Sequence, residues 1–242
     1  MGNLSEFLME ELNVATAFTI PIFGGIEVAE STVISWVIMA IIVILTLVLT
    51  RNMRVEKPGK LQVGVEYAVT ALQNLVRGII GHEGERYVPY LSTVLVFLGI
   101  SNIFAIFGMK PPTKDLNVTA ALALMSIILV QAASIRQNKV GGWLKGFTKP
   151  SKVITPLNVM ELAIRPLSLC MRLFGNVMGA FVVMKLLEHL VPVILPAVFS
   201  LYFDFFDGLL QAYVFVFLTG LYIKEAVEAV SYTHLRAHET SA

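Results

Sequence analysis

Arg172 lies in an apolar run, Asn158–Gly179, that also carries Glu161, Arg165, Ser168 and Asn176. At 100° per residue, Asn158, Glu161, Arg165, Ser168, Arg172, Asn176 and Gly179 share one helical face. A charge at bilayer depth costs on the order of 3 kcal/mol on insertion scales, and a guanidinium cannot escape by losing its proton. Arg172 therefore has to face water or an anion. Its helical neighbours Leu169, Ser168, Gly175 and Asn176 include no carboxylate, so its own helix supplies no partner. Glu161 and Arg165 differ: their four-residue spacing suits an ion pair near the cytoplasmic end, and a purely structural Arg165, paired or snorkelling, weighs equally with a functional one.

A second polar set lies further on. Asp204, Asp207 and Gln211 are three and four residues apart and share one side of a later helix. Two readings apply to the carboxylates. Either they sit at the outer interface in bulk water, or they line a polar path towards Arg172 and relay protons. Gln211 is placed to hydrogen-bond the guanidinium across the helix pair. A fixed positive charge at mid-membrane repels a proton or Na⁺, so an open channel with Arg172 in its throat would conduct cations poorly. The same charge can separate two half-paths and attract a mobile carboxylate. The chain has none on a moving part, so this chemistry requires a partner subunit.

The elements that hold these residues follow from composition. Of the 242 residues 56% are hydrophobic and 14% charged, against roughly 25% charged in soluble domains. Several apolar runs reach the roughly 20 residues that cross a bilayer. The expected fold is an all-α polytopic membrane protein with about five spans, near 32–50, 88–107, 118–135, 155–190 and 197–223. A sixth helix, 61–81, is amphipathic and is expected to lie in the cytoplasmic interface. Pro111 and Pro112 break the chain into a hairpin between the second and third spans, and Pro192 and Pro196 turn it between the last two. The last two helices exceed a perpendicular crossing and are expected to be steeply tilted.

Basic residues set the orientation. Arg51, Arg54, Lys57 and Lys60 follow the first span, and the loop 136–152 carries Arg136, Lys139, Lys145, Lys149 and Lys152 without an acid. Both loops are expected inside, with the N-terminus outside and the C-terminus cytoplasmic. The basic loop is read as a topology signal, not a nucleic-acid surface. The acidic N-terminus (Glu6, Glu10, Glu11) argues against a cleaved signal peptide. The single cysteine, Cys170, allows no intrachain disulfide. Residues 1–228 are read as one membrane domain. Residues 229–242 turn abruptly polar, resemble a translated adapter, and are set aside as non-native together with His234 and His238.

Ser168-Leu-Cys-Met-Arg-Leu-Phe-Gly-Asn176, followed by Gln211-Ala-Tyr-Val-Phe-Val-Phe-Leu218, resembles subunit a of the bacterial F-type ATP synthase. Lys114-Asp-Leu-Asn-Val-Thr119 and Pro156-Leu-Asn158 carry the same resemblance, which covers about residues 15–228. It implies the stator half of a rotary membrane motor in the bacterial plasma membrane. The implied partners are a c-subunit ring, the b subunits of the peripheral stalk, the lipid bilayer and, indirectly, the F1 sector. No cofactor is implied.

In the family, protons pass through one half-channel to an acidic ring residue and leave by a second. Arg172 matches the arginine that keeps the half-channels from short-circuiting. Gln211 matches the glutamine facing it, and Asn176 and Ser168 match polar residues of the same helix. Asp204 stands where some members have histidine, and Phe181 stands where some have glutamate. Together these changes suggest an entry path running on Asp204 with help from Asp207.

Two other classes were weighed. A secondary transporter or channel using Arg172 as an anion site predicts inverted repeats, and none is present between the halves. A membrane enzyme lacks support: His82 and His189 have no metal-ligand spacing, and no nucleotide-binding loop occurs. ATP chemistry linked to this chain belongs to another subunit.

Overall fold

The structure is a computed structural model, and it describes residues 16–21, 26–54, 58–107, 110–147, 155–190 and 198–228. The acidic N-terminus, Glu56, Lys57, Lys149, Lys152, the proline turn at 192 and 196, and the tail 229–242 lie outside the described residues. The described residues open with a two-stranded antiparallel ribbon, β1 (Thr16–Ile20) and β2 (Ile26–Ala29). Helices α1 (Glu30–Thr50), α2 (Lys60–Ile80) and α3 (Val88–Ile103) follow, with a 3₁₀ turn His82–Tyr87 before α3. Next come 3₁₀ turns Phe104–Phe107 and Pro112–Lys114, then α4 (Leu116–Phe147) and α5 (Thr155–Leu190). A π-helical segment, Leu201–Asp207, leads into α6 (Gly208–Glu228).

Among the described residues, five helical segments are long and apolar enough to cross a membrane: 30–50, 84–106, 116–137, 155–189 and 198–227. Their outer faces carry large apolar side chains in the open, such as Ile44, Val48, Ile128 and Leu167. Soluble surfaces do not present such stripes. The chain is a multi-pass all-α membrane protein.

The contacts divide it into two units. One comprises residues 1–57, 96–119 and 172–213, and the other 58–95, 120–171 and 214–242. In the first, Ile38, Leu98, Leu173 and Ala212 are buried. Its Pro-Pro turn is a buried polar knot as well as a hairpin break. Thr113, Lys114 and Asp115 are all buried; the Asp115 carboxylate accepts from the Ser31 hydroxyl of α1 and, at 2.9 Å, from the Asn117 N–H, capping α4.

In the second unit, Val76, Ile80, Leu91, Val130, Leu169, Phe215 and Ile223 form the core, and the Cys170 thiol is buried with them. α2 buries only its last turns here, while Leu61 and Tyr67 stay exposed. It ends at Gly81, whose φ of +76° suits glycine and whose N–H bonds the Arg77 carbonyl at 2.9 Å. Gly220 of α6 meets α2 closely: a Cβ there would lie 2.8 Å from Ile79 Cγ2.

One expectation is corrected. The stretch 136–152 is not wholly loop, because α4 continues to Phe147 with a break at Lys139 (φ 55°). Trp143 Nε1 donates to Gln131 Oε1 at 2.9 Å; a straight helix would hold residues twelve apart about 18 Å from each other, so the chain folds back at Lys139. The last helix is described from residue 198, at the expected start, and carries a π segment at Leu201–Asp207. The ribbon β1–β2 is an element that the residue pattern of 1–31 does not announce. α5 runs as expected from Thr155 to Leu190, and Pro166 lies inside it without ending it. At 1.5 Å per residue it is about 54 Å long, against ~30 Å of hydrocarbon.

Candidate functional site

Arg172, Gly175, Asn176 and Gly179 all lie on the exposed side of α5. A Cβ built on Gly175 or Gly179 would meet nothing within 4 Å. Among the described residues, Arg172 makes no ion pair and no hydrogen bond. Its charge is therefore presented outward on a smooth face with room for close approach by another helix.

Asn176 connects that face to the interior. Its Nδ2 donates to Gln211 Oε1 at 2.6 Å. Gln211 is only 3% exposed, and it lines a cavity of about 240 Å³ together with Asp204, Asp207, Glu188 and Lys185. The glutamine thus accepts from Asn176 and not from the Arg172 guanidinium, correcting the expected contact. Two side chains in contact lie between the open arginine face and the carboxylate cavity.

The π segment aims the carboxylates. Gly208 N–H reaches back five residues to the Phe203 carbonyl, the wide spacing that marks a π-helix. Where this segment joins α6, Asn102 of α3 holds the backbone: its Nδ2 donates to the Gly208 carbonyl at 2.8 Å, and its Oδ1 accepts from the Thr113 hydroxyl at 2.8 Å. Gly208 has to be small, since a Cβ there would sit 2.9 Å from Asn102 Cβ. Asp204 accepts from Ser200 Oγ at 2.6 Å. Asp204 and Asp207 are both partly buried.

Several cavity groups were not found by spacing. Lys185 pairs with Glu188 at 2.9 Å on the cavity wall. Phe181, which also lines the cavity, has the Lys114 ammonium 3.5 Å from its ring centroid, a cation–π contact. Their signal was an ion pair at i,i+3 in the last turns of α5 and a lysine beside paired prolines. Neither is specific without the fold.

Ser168, four residues before Arg172, is partly buried in the other unit and does not line this cavity. Arg165 belongs to that unit too. It bonds Glu161 at 2.8 Å and Glu225 at 3.0 Å, and stacks 4.9 Å from the Tyr222 ring centroid. Glu225 and Tyr222, on α6, could not be foreseen from spacing along α5. The two arginines of the stripe differ fully in their company.

The family profile described as ATP synthase A chain matches residues 32–224. The chain is 37% identical over 205 residues to ATP synthase subunit a of Moorella thermoacetica, covering 84% of this chain and 93% of that one. It is 34% identical over 206 residues to ATP synthase subunit a 1 of Hahella chejuensis, covering 85% and 87%. To the Propionigenium modestum protein named ATP synthase subunit a, sodium ion specific, it is 30% identical over 224 residues, covering 86% and 77%.

Proposed function

The chain belongs to the ATP synthase subunit a family, and from that premise we propose that it forms the stator side of two aqueous half-channels serving a ring of c subunits. The observation that carries this reading is the placement of Arg172: outward, on an open small-residue face, with no ion pair or hydrogen bond among the described residues. Its counter-charge is the ring carboxylate that passes it. A guanidinium there attracts the deprotonated carboxylate and repels a free proton, so ions reach the far side only by riding the ring.

The cavity with Asp204 and Asp207 is the inlet half-channel. Its carboxylates hand protons towards the ring, and the Asn176–Gln211 pair stands between them and Arg172. The N-terminus lies outside, the C-terminus is cytoplasmic, α2 rests in the cytoplasmic interface, and α5 and α6 cross steeply tilted. b subunits brace the chain, and F1 joins indirectly. Arg172 does not line this cavity, which favours the half-channel reading over an anion-transport site built on it.

The test is ATP-driven proton uptake in membrane vesicles. Arg172→Ala is expected to abolish coupled uptake while the complex assembles normally, and Asp204→Ala is expected to suppress it strongly. Coupled pumping retained by the Arg172 variant would sink the motor role. Pumping untouched in the Asp204 variant would remove the inlet assignment alone.

A further inference from the structure

A second cavity, about 160 Å³, lies within the unit of residues 58–95, 120–171 and 214–242. Its wall is Arg86, Tyr87, Ala133, Arg136, Gln137 and Val227. Three elements build it: the 3₁₀ turn before α3, the part of α4 just ahead of its break at Lys139, and the last turn of α6. Among the described residues, neither Arg86 nor Arg136 makes an ion pair or a hydrogen bond. Arg77 and Arg165 in the same unit are both held by glutamates. Two guanidinium groups on one small cavity repel each other. An anion relieves that repulsion, and each planar fork can bind it through paired N–H groups. The Tyr87 hydroxyl and Gln137 amide add neutral donors.

The surface beyond the cavity selects the anion. Met125, Ile128, Ala132 and Arg136 recur at three- and four-residue spacing on α4, all exposed, and Ile128 is 66% exposed. Arg86, Pro89 and Thr93 form a similar exposed line leading into α3. Arg136 thus ends a mostly apolar stripe, and both arginines lie on segments able to cross a membrane. A free anion would touch the cavity alone. A phospholipid would seat its phosphate in the cavity and run its acyl chains along that stripe. We propose that this cavity binds the phosphate headgroup of an anionic phospholipid, whose acyl chains lie along the Met125–Ile128–Ala132 face. Basic pockets between membrane helices bind such headgroups on this principle. The proposal goes beyond the half-channel reading and uses none of its residues.

The experiment is native mass spectrometry of the complex purified in mild detergent, with phosphatidylglycerol as probe and phosphatidylcholine as the neutral comparison. Retention of phosphatidylglycerol on this subunit is expected to fall roughly tenfold or more in the double variant Arg86→Gln/Arg136→Gln. Arg86→Lys/Arg136→Lys, which keeps both charges, is expected to retain most of it, and Arg51→Gln, a basic residue of the other unit, all of it. Equal retention by the Gln double variant and the wild type overturns the site. Equal retention of phosphatidylcholine does the same. Displacement of the lipid by millimolar inorganic phosphate reassigns the cavity to free phosphate and overturns the lipid.

Discussion

Arg165 and Arg172 are two helical turns apart on α5, yet their surroundings assign them opposite work. Arg165 is held by two carboxylates and a tyrosine ring. Removing it strands Glu161 and Glu225 near each other and empties the face of Tyr222. Arg165→Ala is expected to lower the stability of the subunit by about 1–2 kcal/mol, kept modest because both glutamates are exposed. Proton uptake per assembled complex should stay near normal. Arg172→Ala breaks no hydrogen bond or ion pair among the described residues, so it should change stability by less than about 0.5 kcal/mol. The pair of thermal melts in detergent, read beside the pumping assay, checks this. A large loss of stability on removing Arg172 would show that its charge is satisfied within the chain.

At the scale of elements, close approach decides more than polarity. Gly220 lets α6 lie against Ile79 and Ile80 of α2. Gly220→Ala should cost about 1–3 kcal/mol by overpacking, and Ile79→Ala in the same chain should return part of it. A double-mutant cycle measures that coupling, and strict additivity would refute the contact. Such contacts explain what the sequence could convey. The bounds of α5 were legible because its apolar length has no competing signal. Asp204, Asp207 and Gln211 were legible as one polar side because spacing reports neighbours within a helix. Lys185 with Glu188, Lys114 over Phe181 and Asn102 under Gly208 were not singled out. Two of these three contacts join different elements, and no periodicity encodes which strangers will meet. The continuation of α4 was hidden because basic residues mark a membrane boundary and do not by themselves end a helix.

For the molecule as a whole, the open face of α5 is the surface that the proposed motor turns towards its ring. Nothing lies within 4 Å of a Cβ on Gly175 or Gly179, although apolar surface of this kind is normally covered by lipid or protein. Gly179→Leu should therefore leave folding and membrane insertion intact, with a melt within about 0.5 kcal/mol of wild type. It should nevertheless reduce coupled proton uptake at least tenfold, because in the proposed motor the added side chain occupies the path of the ring. Normal uptake by a stably folded Gly179→Leu complex would move the ring contact to another face.

Cys170 has a use outside energetics. It is the chain's sole thiol and is buried in the core beside Leu169. The native subunit is for that reason expected to react slowly with water-borne maleimides. Cysteines introduced one at a time along Asn176, Gly179 and Val183, or around the carboxylate cavity, would each report alone. The order in which they are labelled from either side of a sealed vesicle would trace where water enters the membrane and where it stops.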